Sequence, residues 1–442
     1  MKRLFFFLCV FLILPTASFA QTQTTPDPEL LAAINRIRAI DNHAHPLKFT
    51  AEGEKADAEY DALPLDSIEP FELPVRLNLA NPEFIGAWRQ LFDYKYSDML
   101  PAHVEGLVAI KQHVLKEKGT SYPAWVLDRL NIDTMFANRV AMGTGLVAPH
   151  FRWVSFVDAL LFPLSNATAK KASPDYAGFY PAEEKLLQRY MADLKVSQLP
   201  PSLTEYINQI VIPTLERQKR EGVVALKFEA AYLRSLDFAP ADEKIASQTY
   251  ANFIKGGEPP AAAYKTLQDY LFHKIAEEAG RLGLAIHIHS IDGAGGYYRQ
   301  SNSNPSLLES TFNDPSLRKT NFVLIHGGYP FTKQTAALIG KPNVYADFSA
   351  QTFLLYPRAL SEVLRNWLEN YPDKVLFGTD AFAFTPAVDW PETAWLSNTS
   401  ARQGLALALT AMMNDGEITR ARALELANLV MRENARKLYH LP

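Results

Sequence analysis

Short apolar runs alternate with amphipathic segments along most of the chain. In the second half, helical patterns such as 264–280 and 358–371 separate the apolar runs. Continuous apolar strands separated by helices are typical of a parallel sheet that is buried on both faces. Eight such strands predict an α/β fold, a closed (β/α)8 TIM-type barrel. The eight predicted strands are 37–43, 134–140, 153–157, 223–228, 284–289, 322–326, 344–348 and 375–378.

Two long segments, 46–130 and 158–221, exceed the connections of a minimal barrel. Both are rich in proline and aromatic residues and are partly helical in pattern. Long insertions in such barrels emerge at the carboxyl ends of the strands. We therefore predict one barrel domain over 21–442, with helical insertions after strands 1 and 3 that cover the barrel mouth.

Residues 1–20 have the pattern of a cleavable signal peptide. A basic start precedes an apolar run over 4–14, and the small residues Ser18 and Ala20 precede a cleavage point at Gln21. The apolar run is too short to span a bilayer. The sequence therefore predicts a secreted or periplasmic protein with no membrane attachment once the signal is removed.

Composition narrows the chemistry further. The chain has 44 basic and 48 acidic residues, and removal of the signal takes away Lys2, Arg3 and the one cysteine, Cys9. A mature chain without thiols excludes disulfide scaffolds, cysteine nucleophiles and thiolate metal sites. Its acidic, evenly mixed charge disfavours nucleic acid as a partner. We expect a small-molecule substrate, and a homodimer stays an open alternative.

Several candidate metal ligands share one position, the carboxyl end of a predicted strand. Parallel barrel strands bring these ends to one rim, and residues two apart in a strand point to the same side. Imidazoles with one carboxylate are the ligand set of a catalytic zinc or similar divalent ion. Taken singly, each residue also has a structural explanation, and their shared placement favours the metal. They are His43, His45, His287, His289, His326 and Asp380, of which His287 lies two residues back from the rim.

The order of motifs resembles the amidohydrolase superfamily. The similar segments are Asp-Asn-His-Ala-His at 41–45, His289, Leu-Ile-His-Gly-Gly-Tyr-Pro-Phe at 324–331 and Phe-Gly-Thr-Asp at 377–380. More closely, the chain resembles the amidohydrolase-related (amidohydrolase 2) branch, which includes aromatic-acid decarboxylases. It is also similar to the nodulin-like domains fused to glutamine synthetase, through 226–232 and 433–439.

The resemblance implies a metal centre with one or two divalent ions, most simply Zn²⁺. His43, His45 and Asp380 would hold the first ion. His289 would bind that ion or a neighbouring one. His326 would be a ligand to a second ion or, in a one-metal site, a group that polarises the substrate.

Lys227 occupies the strand-four position at which the superfamily places a lysine or a glutamate. The resemblance leaves two alternatives open: a carboxylated lysine that bridges two ions, or a free ammonium that binds an anionic substrate. Glu229 shares its strand face and is a fallback ligand. Arg234 and Arg152 are candidates to bind a substrate carboxylate, since arginine recognises carboxylates in bidentate fashion.

These expectations combine into a metal-dependent hydrolase of the amidohydrolase type. Metal-activated water would attack an amide, ester or other C–N bond of a small carboxylate-bearing substrate. Asp380 would move the proton, and His326 would stabilise the developing negative charge. Two alternatives stay open: a metal-dependent non-oxidative decarboxylase, and a non-catalytic periplasmic binding protein on the same barrel.

Overall fold

Eight parallel strands form a single sheet whose order follows the chain. The computed structural model describes residues 25–68, 70 and 73–442, so the predicted signal peptide at 1–20 lies outside the described residues. The strands are β1 Ala39–Ala44, β2 Ile132–Arg139, β3 Phe151–Phe156, β4 Val223–Phe228, β5 Ala285–His289, β6 Phe322–Ile325, β7 Val344–Asp347 and β8 Val375–Leu376.

Backbone hydrogen bonds bring the two edges of the sheet together. The N–H of Asn42 donates to the carbonyl of Phe377 at 2.8 Å, and the N–H of Asp380 donates to the carbonyl of His43 at 2.7 Å. Each interior strand pairs with both neighbours in parallel register. The sheet is a nearly closed barrel, and the predicted (β/α)8 fold is confirmed.

Helices surround the barrel and fill its long connections. The first is capped by Asp27, whose carboxylate accepts from the N–H of Leu30, and has Pro28 at its first position. The helices are α1 Pro28–Arg36, α2 Phe84–Phe92, α3 Pro101–Lys118, α4 Tyr122–Leu130, α5 Ala167–Ala172, α6 Phe179–Asp193, α7 Leu203–Tyr206, α8 Ile212–Arg220, α9 Glu243–Phe253, α10 Ala261–Leu282, α11 Glu309–Asn313, α12 Thr332–Leu338, α13 Gln351–Leu354, α14 Pro357–Leu368, α15 Trp390–Asn414, α16 Arg420–Asn428 and α17 Asn434–Leu438.

The connection between β1 and β2 contains α2, α3 and α4, and the connection between β3 and β4 contains α5 to α8. The first set packs on α15: Trp88 lies in one apolar cluster with Trp390, and its indole N–H donates to the carbonyl of Ala387 at 3.0 Å. The second set packs on the outside of the barrel, where Tyr190 donates to the carbonyl of Phe156. Both insertions are therefore fixed to the barrel.

The C-terminal segment packs into the barrel interior. Leu438 belongs to the same buried cluster as Ile40, Phe136 and Val323, which lie below the carboxyl rim. The Tyr439 ring meets the Phe136 ring edge-on, with centroids 4.6 Å apart. Within the described part of the chain, no helix combines the length and apolar content needed to cross a bilayer.

Candidate active site

Three of the predicted ligands meet where β1 and β8 end. Nε2 of His43 lies 3.1 Å from Oδ1 of Asp380, and Nε2 of His45 lies 3.6 Å from the same oxygen. The two imidazole rings stand edge to face, with centroids 5.1 Å apart. Thus the two nitrogens and one carboxylate oxygen converge on a single point of the rim.

His326 and His289 complete the cluster from β6 and β5. The His326 ring lies 4.9 Å from that of His43 and 5.0 Å from that of His289, measured between centroids. All four imidazoles are buried, whereas the Asp380 side chain remains 15% exposed. The structure therefore brings together the four rim histidines and the aspartate that the sequence placed at strand ends.

Lys227 projects into the same cluster from β4. Its Nζ lies 3.4 Å from Nε2 of His43 and 3.6 Å from Oε1 of Glu229, and its side chain is fully buried. This position beside an imidazole nitrogen and a carboxylate is compatible with both predicted states of Lys227, the free ammonium and the carboxylated lysine.

One carboxylate of the cluster was missed in the sequence. Oδ2 of Asp61 lies 3.2 Å from Nδ1 of His45, and the carbonyl oxygen of Tyr60 lies 3.2 Å from the same nitrogen. Asp61 lies in the long connection after β1, and no motif or strand spacing in the sequence links it to the histidines. Only the folded insertion brings it there.

Two groups of side chains have ligand atoms close enough to hold a metal ion. They are His43, His326 and Asp380, and His45, Asp61 and Glu229; within each group the ligand atoms lie within 4.8 Å of one another. The donor set fits a divalent ion, because it joins imidazoles to carboxylates. Among the described residues, Nε2 of His289 and Oε2 of Glu229 are buried without a hydrogen-bond partner, as unused ligand atoms would be.

The contacts of the second group, which contains His45, Asp61 and Glu229, are better explained by hydrogen bonding that orients His45 than by a metal ion of its own. Nδ1 of His45 faces two acceptors, a carbonyl and a carboxylate oxygen. A nitrogen in that position carries a proton, so it donates and does not bind a metal. The lone pair of His45 then lies on Nε2, the atom that faces Asp380. Asp61 thus orients a metal ligand, as carboxylates commonly do for metal-binding histidines.

Burial controls the charges of the site. It raises the pKa of Asp380 to about 7, against the opposing effects of His45 and Lys227. Burial and the charge of Lys227 lower the pKa values of His43 and His326 well below the usual range, and the neighbouring His289 acts in the same direction on His326. These two imidazoles are therefore neutral, the form that binds metals.

Two site residues adopt a backbone conformation that is rare outside glycine. His326 has φ 64° and Asp380 has φ 55°. Gly327 follows with φ 58°, and a Cβ there would overlap the Trp367 ring. Such left-handed residues concentrate at functional sites. Here His326 turns the chain out of β6 one residue before the predicted end of the strand, and Asp380 lies in the segment that follows β8.

The structure does not bring Arg234 or Arg152 to this cluster. Nη2 of Arg234 lies 2.6 Å from Oδ1 of Asp269, and its guanidinium stacks 4.3 Å from the Phe238 ring. Arg152 is the second residue of β3 and lies at the amino end of the strand. It is four residues before the carboxyl end, which corresponds to about 13 Å along the strand. A substrate-binding role for either arginine has no geometric support. His287 lies deeper in the barrel, in contact with the hydroxyl of Tyr439.

A family model described as amidohydrolase matches residues 214–441, which is more than half of the 442 residues. The chain belongs to this family. A curated relative, Protein fluG of Emericella nidulans, is 26% identical over 232 residues, which are 50% of this chain and 26% of that protein. The match therefore spans about a quarter of that relative's length. The predicted family membership is confirmed.

Solved structures with similar folds cover nearly the whole chain. A proposed metal-dependent hydrolase from Lactobacillus casei aligns with TM-score 0.57 and 16% identity over 94% of this chain and 98% of that one. Glucuronate isomerase from Caulobacter crescentus aligns with TM-score 0.56 and 15% identity over 96% and 97% of the two chains. At these identities the likeness establishes the barrel fold alone.

Proposed function

We propose that the protein is a metal-dependent hydrolase that cleaves an ester, or an amide or other C–N bond, in a small carboxylate-bearing molecule. The observation that supports this best is the convergence of neutral imidazoles with Asp380 at the carboxyl rim, where His43 Nε2 lies 3.1 Å from the carboxylate. A bound divalent ion, for which we expect zinc, lowers the pKa of a water molecule and polarises a carbonyl group.

The ligand assignment follows the two edges of the barrel. His43, His45 and Asp380 would hold one ion, with Asp61 orienting His45. His289 and His326 would hold a second ion, and a carboxylated Lys227 would lie between the two.

Asp380 is suited to move the proton. Its side chain is 15% exposed while His43 beside it is fully buried, so it is the cluster member that faces the barrel mouth. Burial raises its pKa to about 7. A partly exposed carboxylate beside the ion would accept a proton from water and return it, as general acid–base catalysis requires.

A free Lys227 provides an alternative way to recognise the substrate. Its ammonium is fully buried 3.4 Å from His43 Nε2. Among the described residues, this is the cation in direct contact with the histidine cluster. A buried ammonium attracts an anion strongly, since little water screens it. In this alternative, the free ammonium of Lys227 would bind a carboxylate of the substrate.

Metal analysis of purified protein distinguishes the alternatives. Two ions per chain with a carboxylated Lys227 supports hydrolysis at a two-metal site. One ion with a free Lys227 favours the decarboxylase, which needs no carboxylated lysine. No bound ion after incubation with zinc, manganese or iron would favour a binding protein. A screen of N-acyl amino acids, dipeptides and aromatic acids against the metal-loaded protein then identifies the reaction.

Asp380→Asn tests the assigned proton transfer. We expect the variant to retain some metal and to lose turnover by about 10²- to 10⁴-fold, because the amide cannot accept the proton. Asp373→Asn, an exposed carboxylate before β8, is the matched control and should leave kcat unchanged. Full activity in Asp380→Asn would contradict the proposed role.

A further inference from the structure

A buried chain of hydrogen bonds crosses the barrel below the histidine cluster. It begins at His287, whose Nε2 lies 2.7 Å from the Tyr439 hydroxyl. That hydroxyl donates to Oδ1 of Asn42 at 2.5 Å, and Nδ2 of Asn42 donates to Oδ2 of Asp347 at 3.1 Å. The C-terminal segment is thereby joined to β7 through the middle of the barrel.

A second arm reaches the same carboxylate from His326. The Ser349 hydroxyl donates to Oδ1 of Asp347 at 2.6 Å and lies 2.9 Å from Nδ1 of His326. Oδ1 of Asp347 also accepts the backbone N–H of His326 at 2.8 Å. Both arms therefore end on one buried side chain, whose exposed fraction is 0%.

The direction of the bonds in the His326 arm follows from the groups themselves. A carboxylate accepts and does not donate, so the proton of the Ser349 hydroxyl is committed to Asp347. The Ser349 oxygen can then only accept from the ring of His326. Nδ1 of His326 must therefore carry a proton.

The other arm obeys the same rule. The amide of Asn42 must present its NH₂ group to Asp347, which leaves its oxygen for the Tyr439 hydroxyl. The proton of Tyr439 is thus committed to Asn42, and its oxygen accepts from His287. Nε2 of His287 carries the proton, while Nδ1 of His287 is buried without a partner among the described residues.

We propose that Asp347 is a positioning residue that fixes the tautomers of both histidines, with the proton on Nδ1 in His326 and on Nε2 in His287. This leaves the lone pair of His326 on Nε2. His326 then serves as a metal ligand or as a proton acceptor. It does not act as a hydrogen-bond donor to a developing oxyanion, which is the other role that the sequence left open. This proposal deepens the proposed function, because a catalytic role of His326 rests on that function.

The backbone around Asp347 is built for this close approach. A Cβ on Gly378 would overlap Oδ2 of Asp347. The carbonyl of His326 accepts from Nε2 of Gln351 at 2.9 Å, so the left-handed turn at His326 is held from both sides. Glycine at 378 therefore leaves room for the Asp347 carboxylate beside the segment that follows β8.

Long-range ¹H–¹⁵N spectra of protein labelled at histidine test the proposal directly. These spectra distinguish protonated from unprotonated ring nitrogens, and His326→Gln and His287→Gln variants assign the signals. In wild-type protein, both metal-free and zinc-loaded, we expect the Nδ1–H form for His326 and the Nε2–H form for His287. Protonation of His326 at Nε2 in the metal-free protein would overturn the proposal.

Two variants separate the arms. Ser349→Ala removes the acceptor of His326 and should give a mixture of its tautomers, with His287 unchanged. Tyr439→Phe keeps the ring that packs on Phe136 and should alter the His287 nitrogens. An unaltered His326 spectrum in Ser349→Ala would contradict the proposal.

Tyr180→Phe is the matched control, since it also removes a buried phenol, one that donates to the carbonyl of Leu233 at 2.7 Å. Neither histidine should respond to it. A response as large as that of the arm variants would equally overturn the proposal. Because the spectra need no substrate, the expected tautomers without any hydrolysis in the screen would refute the proposed function alone.

Discussion

His45 lies between two carboxylates that have different tasks. Its Nε2 faces Asp380 at 3.6 Å, and its Nδ1 faces Asp61 at 3.2 Å. Burial opposes the ionisation of Asp61, but its hydrogen bonds with the His45 ring and with the N–H of Leu63 hold its pKa below the ordinary value. Asp61 therefore stays ionised and keeps the imidazole in the orientation that offers Nε2 to a metal.

Asp61→Asn should weaken metal binding without removing a site. We expect affinity to fall about 10- to 100-fold, as is typical when a carboxylate that supports a metal-binding histidine is lost. Equilibrium dialysis with zinc measures the affinity and the number of ions. Glu59→Gln is the control, because Glu59 lies two positions before Asp61 and forms a half-exposed surface pair with Arg189. It should change neither the affinity nor the number of ions. A loss of one bound ion, with the affinity for the other unchanged, would make Asp61 a direct ligand.

At the residue level, the sequence predicted the candidate ligands at or just beyond the carboxyl ends of strands and missed Asp61, which lies in a long connection. His43, His45 and His289 follow from strand spacing and a shared rim. Asp61 reaches His45 only through the folded insertion. Arg152 precedes its predicted strand, 153–157, so the sequence already set it at the amino end, away from the carboxyl rim.

One buried ion pair joins the first insertion to α15, the long helix that follows β8. Nζ of Lys111 on α3 lies 2.7 Å from Oε1 of Glu392 on α15, and both side chains are buried. Glu392 also accepts from the N–H of Asp389 in a capping box at the start of α15. The pair therefore couples the position of the insertion to the start of a long helix.

Lys111→Met should be strongly destabilising at pH 8, where Glu392 is ionised. Removal of one partner leaves a buried charge without compensation, which costs about 3–5 kcal/mol. Denaturant unfolding measures the loss, and Lys111→Met with Glu392→Gln should recover most of it. Lys274→Met, which breaks an exposed pair with Glu277, should cost at most about 1 kcal/mol. Equal losses in the two single variants would contradict this account.

The same glutamate gives stability a defined dependence on pH. Burial raises the pKa of Glu392 from 4.5 to about 7, although Lys111 opposes the rise. Between these values the native state holds a proton that the unfolded chain releases, so its contribution to stability is lost as pH rises from 4.5 towards 7. Glu392→Gln should flatten this decline in the free energy of unfolding. A steeper decline in the variant would show that the pKa shift has the opposite sign.

At the level of elements, continuous apolar runs were sufficient to predict the strands and their order. The ends of the strands were not predictable. The predicted strands 322–326 and 375–378 end at Ile325 and Leu376 in the structure. The chain leaves β6 early because His326 adopts a left-handed conformation, and a pattern of apolar residues carries no sign of φ.

The metal site connects distant parts of the whole molecule. Almost the whole sequence of the barrel lies between His43 and Asp380, yet Nε2 of His43 and Oδ1 of Asp380 lie 3.1 Å apart. An ion held by both would bridge the first and last strands, where backbone pairing is sparse. Metal binding should therefore stabilise the closed barrel as a unit.

Zinc should raise the free energy of unfolding by about 2.7 kcal/mol at a free concentration of 100 Kd, because it binds the native state alone. Thermal unfolding with and without a chelator measures this as a rise in Tm of several degrees. His43→Gln should lose the dependence on zinc concentration. His113→Gln, an exposed histidine on α3, should retain it. A dependence on zinc that survives in His43→Gln would place the ion elsewhere.

Anomalous diffraction at the zinc absorption edge, from crystals of the zinc-loaded protein, tests the central claim most directly. The account predicts a strong peak at the carboxyl rim, within bonding distance of Nε2 of His43, Nε2 of His45 and a carboxylate oxygen of Asp380. A fully loaded crystal with no peak among these three side chains, or with its peak at another site, would contradict it.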